Sequence, residues 1–178
     1  LNVLVPTAIF ESGQTHLAMA REVKDLKEEE RKEACAAAAD QFDNAGLTCE
    51  VDGRIGFPQA YFAWAEARAE GGDFAGAREP YVEHLLKKPI DRPAETVRAI
   101  RVAAREQLVL LEIRAKRWDA AAAEAQLIAK EPGGAERAEF VQARLRAEKA
   151  LEDREAKVAD WEKSLDKALD LLKTIAER

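Results

Sequence analysis

The sequence predicts an all-α protein, a right-handed stack of three helical hairpins preceded by a long N-terminal helix. Three observations predict this fold class. Charged residues make up 35% of the 178-residue chain, which is rich in alanine and holds only nine glycines and six prolines, a composition of good helix formers. Apolar residues recur at the three- and four-residue spacing of helices. Clusters of glycine and proline divide the second half into paired helical segments.

The first fourteen residues, 1–14, are predicted to form an extended apolar arm. No second strand is available to pair with it, so the arm must pack on something else. Its apolar residues surround Pro6 and are Val3, Val5, Ile9 and Phe10. The arm either occupies a binding groove of the same chain and regulates access to it, or covers an open end of the stack.

Residues 15–57 are predicted to form a long helix followed by a glycine-rich loop. Thr15 can cap the start of the helix, and apolar residues at helical spacing continue through most of the segment. The run at 24–33 is almost entirely charged, which we interpret as the solvated middle of that helix. Three glycines between residues 46 and 58 predict the loop.

The rest of the chain divides into hairpins over residues 58–89, 93–131 and 135–177. Their turns carry the related strings GDFAGAREPY, KRWDAAAAEA and ADWEKSLDKA, in which Phe74, Trp118 and Trp161 fall at intervals of 44 and 43 residues. A large aromatic residue plugs the open end of each hairpin, and a small residue three positions later lets the two helices approach closely. Those small residues are Ala77, Ala121 and Ser164.

The third and second hairpins contain apolar patterns that differ from that of an ordinary amphipathic helix pair. Residues 135–177 also fit an unbroken three-and-four spacing, which suits one long coiled-coil helix. The hairpin is favoured there because the turn string repeats. In the second hairpin, the run from Leu108 to Ile113 is apolar on nearly all sides of its helix, which predicts the stability centre of the fold.

The segment 58–89 resembles a tetratricopeptide repeat. The positions that match the family pattern are Tyr61, Trp64, Ala65, Gly72, Asp73, Phe74, Ala77, Tyr81 and Pro89. The segment departs from the pattern at Arg68, Pro80 and His84, and Pro80 is tolerated only in the first turn of a helix. The other two hairpins match fewer positions, and their period of about 44 residues exceeds the 34 of the family. The array is therefore described as tetratricopeptide-like.

The resemblance implies that the first helix of each hairpin lines a concave groove that receives a partner segment. The implied groove positions are Gln59, Phe62, Glu66, Ala69 and Glu70 in the first hairpin, and Ala103, Glu106, Leu110, Ile113 and Arg114 in the second. Beside them, Arg98, Arg101 and Arg105 form a basic stripe on one helix. The stripe is either a solvated face that pairs with acidic neighbours such as Glu66 and Glu70, or an anchor for a carboxylate of the partner.

Charge and motifs favour a protein partner over other classes of ligand. A net charge of -6 and an isoelectric point near 5.2 disfavour nucleic acid and anionic lipid, and no apolar run is long enough for a transmembrane segment. Catalytic, metal-binding and nucleotide-binding motifs are absent, and the two histidines, His16 and His84, lie in separate segments. We expect a non-catalytic adaptor or scaffold without metal or cofactor.

Alternatives to that function remain open. The first is a structural oligomerisation module that forms a homodimer through a coiled-coil C-terminal helix. An enzyme-accessory subunit or chaperone ranks lower. Cys35 and Cys49 either form one disulfide, or Cys35 is a small buried hydrophobe. A bridge and the missing initiator methionine favour a periplasmic or cell-envelope protein of a bacterium, although a trimmed cytoplasmic protein explains both nearly as well.

Overall fold

A computed structural model describes residues 4–177 of the chain. The chain is all-α, as predicted: those residues form seven α-helices, one π-helix and one two-stranded hairpin. The elements are α1 (Leu4–Glu22), α2 (Glu28–Thr48), β1 (Glu50–Val51), β2 (Arg54–Ile55), α3 (Pro58–Glu70), the π-helix (Pro80–Leu86), α4 (Ala94–Arg114), α5 (Trp118–Lys130), α6 (Ala135–Glu155) and α7 (Trp161–Ala176). The chain divides into two compact units within α4, between Ala104 and Arg105.

In the first unit, α1 packs on α2, α2 on α3, and α3 on the π-helix. Phe10 of α1 lies against Phe42 of α2 and against Phe57, which precedes α3, with ring centroids 5.1 and 5.0 Å apart. Gly13 permits the close approach of α1, because a Cβ at that position would lie 2.7 Å from the Phe42 ring. Phe42 is fully buried, so these aromatic contacts form the centre of the packing between α1 and α2.

The extended arm predicted for residues 1–14 is wrong, because residues 4–14 belong to α1. Residues 1–3, which include Val3, lie outside the part of the chain that the structure describes. Pro6 is compatible with the helix because it is the third residue of α1, where a backbone N–H has no partner within the helix. Since Phe10 packs on α2, the hypothesis of an extended arm that fills a groove has no basis in the structure.

The single helix predicted within residues 15–57 is interrupted. α1 ends at Glu22 and α2 begins at Glu28, so the break lies inside the charged run that was interpreted as the middle of a helix. That run contains a helix start. The Lys27 backbone N–H donates to the Glu30 carboxylate at 2.9 Å, and three glutamates occupy the first turn of α2, where negative charge is favourable.

The predicted glycine-rich loop is largely a short β-hairpin. Its strands turn at Asp52 and Gly53, which have positive φ of 52° and 71°, as in the tight turns that this dipeptide favours. Ile55 of β2 is fully buried. Its N–H donates to the Pro89 carbonyl and its carbonyl accepts from the Asp91 N–H, each at 2.9 Å. The β-hairpin thereby ties the segment after the π-helix to the start of α3.

The turns of the three hairpins share one backbone geometry. Each first helix ends in a Schellman motif, in which a residue in the left-handed conformation closes the helix. The left-handed residues are Gly72, Lys116 and Lys157, with φ of 86°, 56° and 56°. In each case the N–H of the following residue donates to the carbonyl five positions back, at 2.9, 2.8 and 2.8 Å. The turns therefore repeat at intervals of 44 and 41 residues.

A hairpin, as favoured from the sequence, forms at the C-terminus rather than one long helix. α6 ends at Glu155 and α7 begins at Trp161. Lys157 and Asp160 between them have left-handed φ of 56° and 64°, which a continuous helix excludes. Aspartate adopts this conformation more readily than most residues, so Asp160 suits the break between the two helices.

The small residues predicted at the helix contacts differ between the hairpins. Ala77 and Ala121 are fully buried, as predicted. Ser164 is instead exposed, and its hydroxyl donates to the Asp160 carbonyl at 3.3 Å. Ala168, one turn further along α7, is the buried small residue of that helix. Two extra residues in the third turn, compared with the second, accompany this shift.

The aliphatic run of α4 is buried in part. Leu108 and Val109 are fully buried, and Leu111 is nearly so. Glu112, beside them, is also fully buried, which the apolar pattern did not predict. Arg117 donates through Nε to Oε2 of Glu112 at 2.5 Å, and a carboxylate removed from water needs such a charged partner.

Candidate functional site

The groove residues predicted in the first hairpin lie on α3. Gln59, Glu66 and Glu70 are exposed, and Phe62 is half-buried. Arg21 of α1 donates to Glu66 at 2.5 Å and lies 3.5 Å from Glu70. Burial opposes the charge of Arg21, but the bonds to these carboxylates outweigh burial, so the pKa of Arg21 is raised. Helix α1 thus supplies the cation that the sequence analysis sought in the arginine stripe of α4.

The arginine stripe of α4 does not act as one uniform surface. Arg105 donates to Glu131 at 3.1 Å and to Glu124 at 3.2 Å, and all three side chains are largely buried. Arg98 is exposed and donates to a backbone carbonyl of its own helix, whereas Arg101 is half-buried. Arg105 is therefore held by carboxylates in and just after α5 rather than offered to a partner.

Two ion pairs connect α4 and α6 in the second unit. Glu106, one of the predicted groove residues, lies 3.7 Å from Arg137 near the start of α6. Lys116, just beyond the end of α4, lies 3.1 Å from Glu152 near the end of α6. Both helices pass from the first ion pair to the second in chain order, so they run in the same direction.

A groove with a volume of about 530 Å³ lies between these helices. Its lining residues are Gln107, Leu110, Ile113, Arg114, Lys116, Trp118, Arg144, Glu148, Leu151, Glu152 and Glu155. The predicted positions Leu110, Ile113 and Arg114 are among them. The structure therefore brings these residues of the second hairpin together with residues of the third that the sequence analysis did not assign.

The groove residues of the third hairpin, which the sequence analysis missed, could have been found from the interval between the hairpin turns. The second and third turns are 41 residues apart, and the same interval relates the groove residues of α4 to those of α6. Leu110 corresponds to Leu151, and Arg114 corresponds to Glu155. The aromatic residues of the turns are 43 residues apart because the third turn has two extra residues, so the aromatic interval gives the wrong register.

The floor of the groove is apolar and open to an occupant. Leu110, Ile113 and Trp118 are half-buried, and Leu151 has 39% of its surface exposed. Full burial of a large aliphatic side chain contributes about 1.5–3 kcal/mol, so a partner with matching apolar side chains would gain by binding here.

The charges around the groove largely neutralise one another. The lining includes three cationic residues, Arg114, Lys116 and Arg144, and three anionic residues, Glu148, Glu152 and Glu155. Lys116 lies 3.1 Å from Glu152, and Arg144 lies 3.9 Å from Glu148. The hydrogen bond from Lys116 holds the pKa of the Glu152 carboxyl below its ordinary value. The groove therefore offers no large excess of either charge.

The two cysteines are free thiols. Cys35 is buried in α2, and Cys49, which follows α2, is half-buried. Burial raises the pKa of both thiols, which disfavours the reactive thiolate. The disulfide hypothesis, and the cell-envelope location that depended on it, therefore have no support from the structure.

Within residues 4–177, no three His, Cys, Asp or Glu side chains are grouped closely enough to hold a metal ion. Over the same residues, every helix is too short or too polar to cross a membrane. No protein-family model matches the chain, and neither does any curated protein or solved structure. The groove between α4 and α6 is thus the site from which a function can be argued.

Proposed function

We propose that this chain is a non-catalytic protein–protein interaction adaptor or scaffold that binds a partner segment in the groove between α4 and α6. The observation that carries the proposal is the open apolar floor between two parallel helices. Proteins built from stacked helical repeats use extended surfaces of this kind for binding, because equivalent helices of successive repeats present equivalent positions side by side.

A tetratricopeptide-like arrangement is part of the same proposal. Two observations support it: the three hairpin turns share their left-handed residue and hydrogen bonds, and α4 and α6 are the parallel first helices of consecutive hairpins. In the family that the sequence resembles, first helices line the binding face. The correspondence of Leu110 with Leu151 across the groove adds to this support.

The occupant we propose is an amphipathic helix whose flanks carry no large net charge. The two ion pairs that connect these helices involve Glu106 and Lys116, whose spacing in the sequence corresponds to about 15 Å at 1.5 Å per residue. That length accommodates about three helical turns, whose apolar residues at positions i, i+3 or i+4, and i+7 can contact the floor. The paired charges at the rim offer no excess of either sign to a strongly acidic or basic peptide.

Selection from a displayed library of helical peptides, each about 15 residues long, tests this function. We expect enriched peptides with an apolar stripe at three- and four-residue spacing. Their affinity for the Leu151→Glu variant should fall about tenfold or more, because a carboxylate replaces a contact equivalent to about 1.4 kcal/mol or more. Raising the salt concentration should change the affinity little, since the rim charges are already paired.

The matched control is Leu169→Glu on α7. Leu169 is 43% exposed, close to the value for Leu151, and does not line the groove. The selected peptides should bind Leu169→Glu as they bind the unmodified chain. Equal affinity for Leu151→Glu and the unmodified chain would contradict the proposed binding groove.

The alternative function, oligomerisation through a C-terminal coiled coil, requires one continuous helix over residues 135–177. The chain instead turns between Glu155 and Trp161, and α7 packs on α6 with Ala168 fully buried. The apolar stripe that suggested a coiled coil is therefore divided between two helices of one chain. Ala168 is the one residue of α7 that this packing buries.

A further inference from the structure

A cluster of polar side chains lies inside the first unit, where β1, α3 and the π-helix meet. Tyr61 of α3 is fully buried, and the side chains of Glu50 and His84 are largely buried. The Tyr61 hydroxyl donates to Oε1 of Glu50. The Lys88 ammonium donates to both oxygens of the same carboxylate, at 2.8 and 3.1 Å. Burial opposes ionisation of Glu50, but these donors outweigh burial and lower its pKa.

His84 is the member of the cluster whose hydrogen bonding is incomplete. Its ring stacks on Tyr61 with centroids 4.6 Å apart and meets the edge of Trp64 at 5.5 Å. Its Nδ1 is buried and makes no hydrogen bond with any described residue. The nearest acceptor, Oε1 of Glu50, is 3.7 Å away, which is longer than a hydrogen bond.

The backbone around His84 is also unusual. Residues Pro80–Leu86 form a π-helix of seven residues, a conformation that is rare and seldom extends beyond a single turn. Pro80 begins it, at a position where the missing N–H costs little. Pro80 and His84 are two of the three departures of segment 58–89 from the tetratricopeptide pattern, and both lie in this π-helix.

We propose that His84 is a pH-sensitive latch: the neutral ring holds the π-helix against α3 and β1, and protonation of the ring loosens that contact. The physical basis is the position of the ring. A proton on His84 would add a positive charge to a largely buried site that the Lys88 ammonium already occupies. A buried charge is unfavourable unless it is fully paired, and the Glu50 carboxylate already accepts bonds from Lys88 and Tyr61.

The charged groups around His84 act in both directions. Burial and Lys88 oppose its protonation, whereas Glu50 of β1, Asp43 of α2 and Glu79 before the π-helix favour it, and the net effect lowers the pKa of His84. A histidine with a lowered pKa in the folded state stabilises the fold fully above its ordinary value of about 6.5. That stabilisation is lost as the pH falls from there through the lower folded-state pKa.

The effect of Asp43 on the pH dependence of stability is opposite to that of His84. Its pKa is raised, first of all by burial, so its ionised form is disfavoured in the folded chain and acidification relieves that cost. The dependence of wild-type stability on pH therefore combines the contributions of His84 and Asp43. A variant that changes His84 alone is needed to separate them.

The test compares thermal unfolding of the full chain between pH 7.5 and pH 5 with that of His84→Phe and His16→Gln. Phenylalanine keeps the ring contacts but cannot take a proton, and His16 is the only other histidine. We expect the melting temperature of the wild type and of His16→Gln to fall on acidification, and that of His84→Phe to fall less. In the wild type, faster hydrogen exchange at residues 50–55 and 80–90 should accompany the fall.

Parallel pH profiles for the wild type and His84→Phe would overturn the latch. Should His84→Phe fail to fold, nuclear magnetic resonance of the wild type decides the question without a variant. The ring protons of His84 should titrate below the ordinary histidine pKa of about 6.5. Titration at or above that value would equally overturn the proposal.

Discussion

The first and last hairpins share a turn geometry but differ in how much of their surface they bury. In the hairpin over residues 58–86, Tyr61, Ala77 and Leu85 are buried completely or nearly so. In α7, the second helix of the last hairpin, Ala168 is the one buried residue between Trp161 and Ala176. A turn is set by local backbone hydrogen bonds and stability by apolar burial, so the same repeat can serve as a rigid or a lightly packed element.

The largest loss of stability is expected at Tyr61. Tyr61→Ala removes a fully buried ring that contacts Trp64 and His84, and should lower the free energy of unfolding by about 3–5 kcal/mol. Tyr61→Phe keeps the ring but removes the hydrogen bond to the Glu50 carboxylate, with an expected loss of about 1.5–3 kcal/mol. Denaturant unfolding measures both values. A loss of less than about 1 kcal/mol for Tyr61→Ala would remove the contrast between the two hairpins.

The next largest loss of stability is expected in the core of the second unit, and a substitution in the groove of the same unit provides the comparison. Leu111→Ala should destabilise the chain by about 2–5 kcal/mol, because Leu111 is almost fully buried. Leu151→Ala, in the floor of the groove, should change stability by no more than about 0.5 kcal/mol. Equal losses for the two variants would mean that Leu151 serves packing rather than binding.

A smaller effect is expected at Trp161 in the last hairpin. Trp161 is half-buried, and the Arg154 guanidinium lies 5.6 Å from its ring centroid. Trp161→Ala should therefore destabilise by about 1–2 kcal/mol, less than the truncation of a fully buried aromatic residue. If the variant lost as much stability as Tyr61→Ala, the last hairpin would be as tightly packed as the first.

The smallest effect is a gain in stability at the third turn. Lys157 holds the left-handed position that glycine occupies in the first turn, and only glycine adopts that conformation without strain. Lys157→Gly should raise the free energy of unfolding by about 0.5–1 kcal/mol. The control is Lys163→Gly within α7, which should lower it by up to about 1 kcal/mol. A loss at both positions would show that the turn geometry of the third hairpin differs from that of the first.

Much of the fold follows from the sequence because helices are encoded locally. The three hairpins and the burial of Leu108 and Leu111 follow from apolar spacing and turn composition. The sequence analysis missed the interruption between α1 and α2. A charged run such as that at 24–33 is equally typical of a solvated helix face and of the start of a helix. Residues 4–14 were predicted to be extended although they are helical, and Pro6 is compatible with this because proline is tolerated in the first turn of a helix.

The candidate site was only half predictable. The family resemblance named Leu110, Ile113 and Arg114, and these residues line the groove between α4 and α6. Leu151 and Glu155 required the register of the third hairpin, which two extra turn residues shift. The pairing of Arg105 with α5 and of Arg21 with Glu66 depends on which helices meet, and residue spacing along one helix does not determine that.

The most direct measurement of the central claim is a map of amide chemical-shift changes in the full chain on binding a selected peptide. If the groove between α4 and α6 is the binding surface, the largest changes will fall within residues 107–118 and 144–155, and Leu151→Glu will abolish them at the same peptide concentration. Changes confined to α3 or to α7, or a pattern unaltered in Leu151→Glu, would contradict the assignment of this groove as the partner-binding site.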